Sequence, residues 1–444
     1  MLATMRNAWK VDEIRKKLLF MGFIVLIYRL GNAVTVPYVD TDLLSAYFQQ
    51  LNNTVLGLIN TMSGSALERA SIFALSIQPY INASIIMQLL TIAIPALERL
   101  RKEGGEDGKK KIEKITRYGT VAIAALQGYA YYTLISRGDP HLGGSMLAPG
   151  AEGFLPALVI VVTFMTGSAL LMWMGEQITE FGIGNGISVI LFVSIVARFP
   201  TEIGQMITRT IADPSTWWIH ALMLIGALAI IVLIVIVQNS ERRIPVQYSK
   251  RVVGRKMYGG QSTHLPMKVN MSGVLPVIFA QSIASIPATI VVFVPRWSEG
   301  LVMNIFAPPG TQQDGSHSLG ILYMVVYFLL IVFFSYFYST VQFNPVEIAN
   351  NLKKNGGFIP GFRAGKPTSE FIQKVLTKIT LFGALYLAVI AISPLMISAF
   401  SPTAAASGIS MGGTSIIIVV SVALETIKQL ESQLLMRHYK GFLE

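Results

Sequence analysis

Ten stretches of mostly apolar residues punctuate the chain, at 18–36, 71–95, 117–136, 154–174, 184–199, 217–238, 271–294, 320–342, 375–397 and 413–430. A helix needs about 20 such residues to cross the hydrocarbon of a bilayer. Lipid supplies no hydrogen-bond partners, so a long apolar segment standing alone there must be helical. The pattern predicts an all-α polytopic membrane protein with ten transmembrane helices. The fifth and tenth stretches are short, and glycines at 182, 184 and 186 crowd the start of the fifth. Residues 1–17 followed by 18–30 have the outline of a signal peptide. Arg29 interrupts that apolar run and no small-residue cleavage site is evident, so it is read as a retained first span.

Charged residues make up only 13 % of the chain, against about 25 % in a soluble domain. This argues against a soluble enzyme, a nucleic-acid-binding module or a disordered scaffold. Cysteine is absent, and no two of His141, His220, His264, His317 and His438 stand at metal-ligand spacing. A zinc hydrolase or intramembrane metalloprotease is therefore disfavoured.

The net charge of +11 is distributed by segment. Lys and Arg cluster at the N-terminus, after spans 2, 6 and 8, and at the C-terminus; these segments hold 29 of 35. The alternate segments hold only Arg69, Arg137, Arg198, Arg209 and Arg296. The positive-inside rule then puts both termini in the cytoplasm, which an even span count requires. The connection between spans 4 and 5, with Glu176 and Glu180 but no Lys or Arg, lends no support to that assignment. Ten spans divide into halves of five, 1–205 and 206–444, and an odd number per half inverts one relative to the other.

Several local features bear on mechanism. Residues 54–70 are too short to span and are broken at 62–65. Ser65 and Glu68 have capping-box spacing, which predicts a helix starting at Ser65 and running into span 2. The segment is either an interfacial loop helix or a re-entrant one shielded by protein. In span 2, Gln78 and Asn82 share a helical face, and Pro79 is expected to kink the helix. Span 7 carries Gln281 and Ser285 near Pro276 and Pro287. Such polar pairs either bond across packed helices or line a seam that separates. Ile77 with Ile81, and Ile187 with Leu191, each place two aliphatic side chains on one face. They are ordinary packing or a hydrophobic constriction that gates by dewetting. Residues 182–186, Gly-Ile-Gly-Asn-Gly, lack dinucleotide-motif spacing and read as a tight turn. The basic loops 239–270 and 343–367 serve topology and anionic lipid, or dock acidic proteins or phosphate backbones. A secondary transporter is the rival reading. Its midplane site would have to come from Arg29, Gln78 and Asn82.

Five stretches carry a resemblance: RASIFALSIQPYINASIIMQLL (69–90), GEQITEFGIGNGIS (175–188), RRIPVQYSKR (242–251), QSTHLPMKVNMSGVLPVIFA (261–280) and FNPVEIANNLKKNGGFIPGFRAGK (343–366). With them the chain resembles the SecY family, the channel subunits of the bacterial protein translocon, from about residue 15 to 435. The resemblance implies two pseudo-symmetric halves around a central hourglass pore. The waist would be a ring of Ile77, Ile81, Ile187, Leu191, Ile278 and Ile418. A plug near 57–67 would include Asn60, Thr61, Met62, Ser63 and Gly64. Spans 2 and 3 against 7 and 8 would form a lateral gate, with Gln78, Asn82, Gln281, Ser282 and Ile286. Lys250, Arg251, Arg255, Lys256 and Arg363 would dock the SecA motor ATPase or the ribosome. Further implied partners are SecE, SecG, a YidC-type insertase, an unfolded preprotein with its signal sequence, and membrane lipid. The expected site is the bacterial plasma membrane. No catalytic residue, cofactor or nucleotide motif is expected, so a partner must supply energy.

Overall fold

A computed structural model describes residues 6, 8–50, 60, 63–138, 144–151, 153–248, 251–253, 256–258, 262–293, 317–400 and 413–440. Thr61, Met62, Lys250 and Arg255 lie outside the described residues. The helices are α1 (Asp12–Gly31), α2 (Thr41–Gln50), α3 (Gln78–Ala93), α4 (Pro95–Glu103), α5 (Gly105–Arg137), α6 (Phe154–Phe181), α7 (Gly186–Val196), α8 (Phe199–Ala212) and α9 (Trp217–Asn239). They continue with α10 (Leu275–Phe293), α11 (His317–Gln342), α12 (Pro345–Lys354), α13 (Lys366–Phe400) and α14 (Gly413–Lys440).

Each of the ten expected spans falls on a helix. Among the described residues, six helical segments are long and apolar enough to cross a membrane, or seven if α3 and α4 count as one bent span. The short fifth span gains length by continuing into α8, so that Gly186–Ala212 forms a 27-residue segment. Helix α1 opens on Asp12, Glu13, Arg15, Lys16 and Lys17, and α5 on Glu106, Asp107 and three lysines. In α1 those charges, suited to a membrane edge, lower the mean hydropathy; in α5 the glutamine, glycines, threonines and tyrosines of 118–135 lower it as well.

The helices pack within two groups. Spans 1–5 pack through α1 on α6, α3 on α5, α5 on α6 and α6 on α7. Spans 6–10 pack through α10 on α11, α11 on α13, α13 on α14 and α9 on α14. The groups meet where α7 touches α14 and where α10 touches α3 and α5. Hydrogen bonds tie neighbours inside the second group: Gln238 Nε2 donates to Ser421 Oγ at 2.7 Å, and the Ser339 and Thr380 hydroxyls are hydrogen-bonded to each other at 2.9 Å.

Two local expectations are corrected. Ser65 does not start a helix: its φ is +65°, and residues 64–77 form successive turns until α3 begins at Gln78. Asn60 takes the capping role instead. Its Oδ1 accepts from Glu68 N at 3.1 Å, and its Nδ2 donates to the Glu68 carboxylate at 2.8 Å. Pro79 does not kink span 2. It sits in the first turn of α3, where its missing N–H would be unpaired in any case. The bend comes at Ile94–Pro95, where α4 turns 98° from α3.

The basic loops hold strands that the helical reading did not anticipate. β1 (Glu241–Tyr248) and β4 (Ser262–Lys268) pair antiparallel, from Glu241 with Lys268 to Gln247 with Ser262. β2 (Arg251–Val253) and β3 (Lys256–Tyr258) form a small hairpin between them. β5 (Gly357–Phe358), from the other loop, pairs with Gln247 and Tyr248, giving the order β4-β1-β5. Ile244 and Val246 alternate inward, as the two-residue period of a half-buried strand requires. They form a core with Met267, Ile359, Ile372 and Leu376. Ile372 and Leu376 are one turn apart on α13, so the sheet stands on the end of that helix. Asn344 caps α12 beside it, accepting from Val346 N and Glu347 N.

Candidate functional site

Where the two helix groups meet, the structure gathers the six aliphatic residues expected at a waist. Ile77, Ile81, Leu191, Ile278 and Ile418 are all buried, none more than 7 % exposed, and belong to one apolar cluster. Ile187 is half-buried and packs against it. Ile77 is the last residue before α3, and Ile81 N donates to its carbonyl at 3.1 Å, so the two stack one turn apart. On α7 the pair Ile187 and Leu191 is aimed by the helix start. Asn185 Oδ1 accepts from Ile187 N at 3.0 Å and Ser188 N at 3.3 Å. Gly186 lies so close to α6 that a Cβ there would be 2.0 Å from the Gly175 carbonyl oxygen. Burial of each such side chain contributes about 1.5–3 kcal/mol, so the cluster is held by apolar contact.

Glu202 is the one buried Asp, Glu, Lys or Arg among the described residues. It pairs with Arg198 at 3.0 Å, where α8 begins, and is no member of the waist cluster.

Residues 60 and 63–72 are fixed against α1, α5 and α7. Asn60 and Ser63 are fully buried. Ser63 Oγ donates to the Asn60 carbonyl at 2.8 Å and accepts from Leu67 N at 3.3 Å. Tyr131 from α5 donates to the Leu67 carbonyl. Gly64 has φ +68°, a conformation that favours glycine.

The seam formed by α3 and α5 against α10 carries the expected polar residues. Gln78, Gln281 and Ser282 are buried, Asn82 is half-buried, and Ile286 is 46 % exposed. Among the described residues, Gln281 Oε1 is buried without a hydrogen-bond partner. A buried unsatisfied carbonyl costs about 1–3 kcal/mol, so this seam is less stable than an all-apolar contact. Span 8, α11, packs on α10.

Residues 71–427 match the SecY family. The chain belongs to it. A curated relative, the protein translocase subunit SecY of Streptomyces scabiei, is 44 % identical over 455 residues, covering 100 % of both chains. The fold is shared with solved SecY-type channels. One, described by its plug domain stabilising the closed state of the translocation channel, superposes with TM-score 0.63 at 18 % identity, covering 94 % of this chain and 92 % of that one. Another is Sec61 in the canine ribosome-channel complex from the endoplasmic reticulum, with TM-score 0.60 at 16 % identity and the same coverage.

In this SecY-family chain, the residues expected at a docking surface are only partly placed. Arg363 is exposed in the turn before α13. That turn is held by Phe362 stacking on Phe371, with ring centroids 4.2 Å apart, and by Thr368 Oγ1 donating to the Arg363 carbonyl at 2.7 Å. Arg251 and Lys256 lie in the β2–β3 hairpin. Reading the sequence did not foresee that the two basic loops share one sheet. The alternation of Ile244, Val246 and Tyr248 was the available signal. Nor did it single out Tyr28 and Ser194, which face Ser63 and Gly64.

Proposed function

We propose that this chain is a protein-conducting channel. It passes unfolded secretory polypeptides across the bacterial plasma membrane and releases signal sequences and membrane spans sideways into lipid. The observation that carries the reading is the buried aliphatic cluster of Ile77, Ile81, Leu191, Ile278 and Ile418, contributed by both helix groups.

A pore open to any polypeptide must not hold its cargo by fixed hydrogen bonds. Aliphatic side chains offer none, close around chains of differing width, and expel water and ions when they meet. Ile187 completes this ring. Segment 57–67 acts as the plug that covers it. The halves 1–205 and 206–444 part along the seam of α3 and α5 against α10, with Gln78, Asn82, Gln281, Ser282 and Ile286 at the lateral gate. The charge distribution supports cytoplasmic termini, which puts the three-stranded sheet in the cytoplasm. There Lys250, Arg251, Arg255, Lys256 and Arg363 form the docking surface for a motor ATPase of the SecA type or for the ribosome. SecE and SecG complete the membrane complex, and a YidC-type insertase is a further partner. The partner supplies the energy.

The test is reconstitution of the complex in liposomes with its motor and ATP. Protease-protected preprotein is the expected product. Uptake of a small solute without any protected preprotein would instead favour a secondary transporter.

A further inference from the structure

One buried polar pair has no part in the account above. Tyr28 in α1 and Ser194 in α7 are 1 % and 0 % exposed, with their hydroxyl oxygens 2.6 Å apart. Ser194 Oγ donates to the Ile190 carbonyl at 2.8 Å, which uses its only proton. The Tyr28 proton therefore goes to Ser194 Oγ. The Ser63 carbonyl oxygen stands 3.5 Å from the same phenol oxygen. Gly64 comes next, and a Cβ there would lie 2.7 Å from the Ser194 carbonyl oxygen. The backbone of 63–64 thus rests on the pair at contact distance.

Phenylalanine and alanine would pack the same wall without needing any hydrogen bond. The placement of the two hydroxyls makes sense against the segment they touch. With the segment seated, the Tyr28 proton lies between two acceptors. With the segment gone, Ser194 still accepts it. The pair is satisfied in both states, and the difference is one long hydrogen bond and one close backbone fit. So small a bias suits reversible release.

We propose that Tyr28 and Ser194 form a latch that seats the 63–64 backbone in the closed channel and sets how readily this segment leaves. Both are positioning residues. The claim rests on the channel reading of this site and adds the residues that regulate it.

The experiment compares Tyr28→Phe and Gly64→Ala in the intact complex. It measures export of a preprotein with a defective signal sequence relative to one with a normal signal, and resting ion leak in liposomes. Ile278→Gly serves as the channel control. The latch predicts that Tyr28→Phe raises the defective-to-normal export ratio about twofold, the population shift expected from the low end of a hydrogen bond's net worth. Gly64→Ala should raise it further and add a leak. A purely structural role would lower export of both preproteins together and leave the ratio unchanged. That result overturns the latch if Ile278→Gly leaks. The same unchanged ratio without a leak from Ile278→Gly overturns the latch and also takes Ile278 out of the ring.

Discussion

At the residue scale, the waist depends on side-chain bulk rather than on any particular contact. Ile278 is 7 % exposed inside the shared cluster, and removing its side chain leaves a gap that water enters. Ile278→Gly is expected to raise the resting ion conductance of reconstituted channels well above the wild-type background, measured in planar bilayers. An unchanged conductance would take Ile278 out of the ring. Gly186 is constrained differently: a Cβ there would meet the Gly175 carbonyl oxygen at 2.0 Å. Gly186→Ala should push α7 away from α6 and cost about 1–3 kcal/mol, seen as a lower melting temperature in detergent. The tight turn at 182–186 was legible in the sequence because its glycines cluster. The Tyr28–Ser194 pair was not, because 166 positions separate its members and each alone reads as an ordinary helix residue.

At the element scale, α13 and the sheet standing on it form a unit of their own. Its core residues Ile244 and Val246 alternate along β1 and pack on Ile372 and Leu376. Val246→Asp would bury an unpaired carboxylate and is expected to cost about 2–5 kcal/mol locally. Limited proteolysis should then cleave the 239–270 region while the helices stay protected. Arg363 is exposed on the same unit. Arg363→Glu should cut motor-driven export by roughly tenfold or more through like-charge repulsion at the interface, with membrane insertion of the chain intact; normal export would remove Arg363 from docking. The ten apolar stretches were visible because a bilayer demands long uninterrupted helices. Element ends were harder to read. Pro79 looked like a kink and is a helix start, and Ser65 looked like a cap and sits at positive φ. The sheet escaped because β5 joins β1 from about 110 residues away, and no local pattern announces that pairing.

At the scale of the whole molecule, the contacts between the two helix groups differ in character among the described residues. One is the packing of α7 on α14; another is α10 against α3 and α5, where Gln281 Oε1 lacks a hydrogen-bond partner. The second contact is the weaker, so parting should occur there. A disulfide engineered between Asn82→Cys and Ile286→Cys should block release of a membrane span into lipid, and reduction should restore it. Release that persists with the bond formed would place the opening elsewhere. The central claim is that a closed aliphatic ring, rather than a solute-binding pocket, lies on the route of the cargo. Photo-crosslinking groups placed at positions 77, 81, 278 and 418, with 228 on the exposed face of α9 as control, test it during export of an arrested preprotein. The account predicts preprotein adducts from all four ring positions and none from 228. Ring positions that yield no preprotein adduct while export proceeds would contradict it.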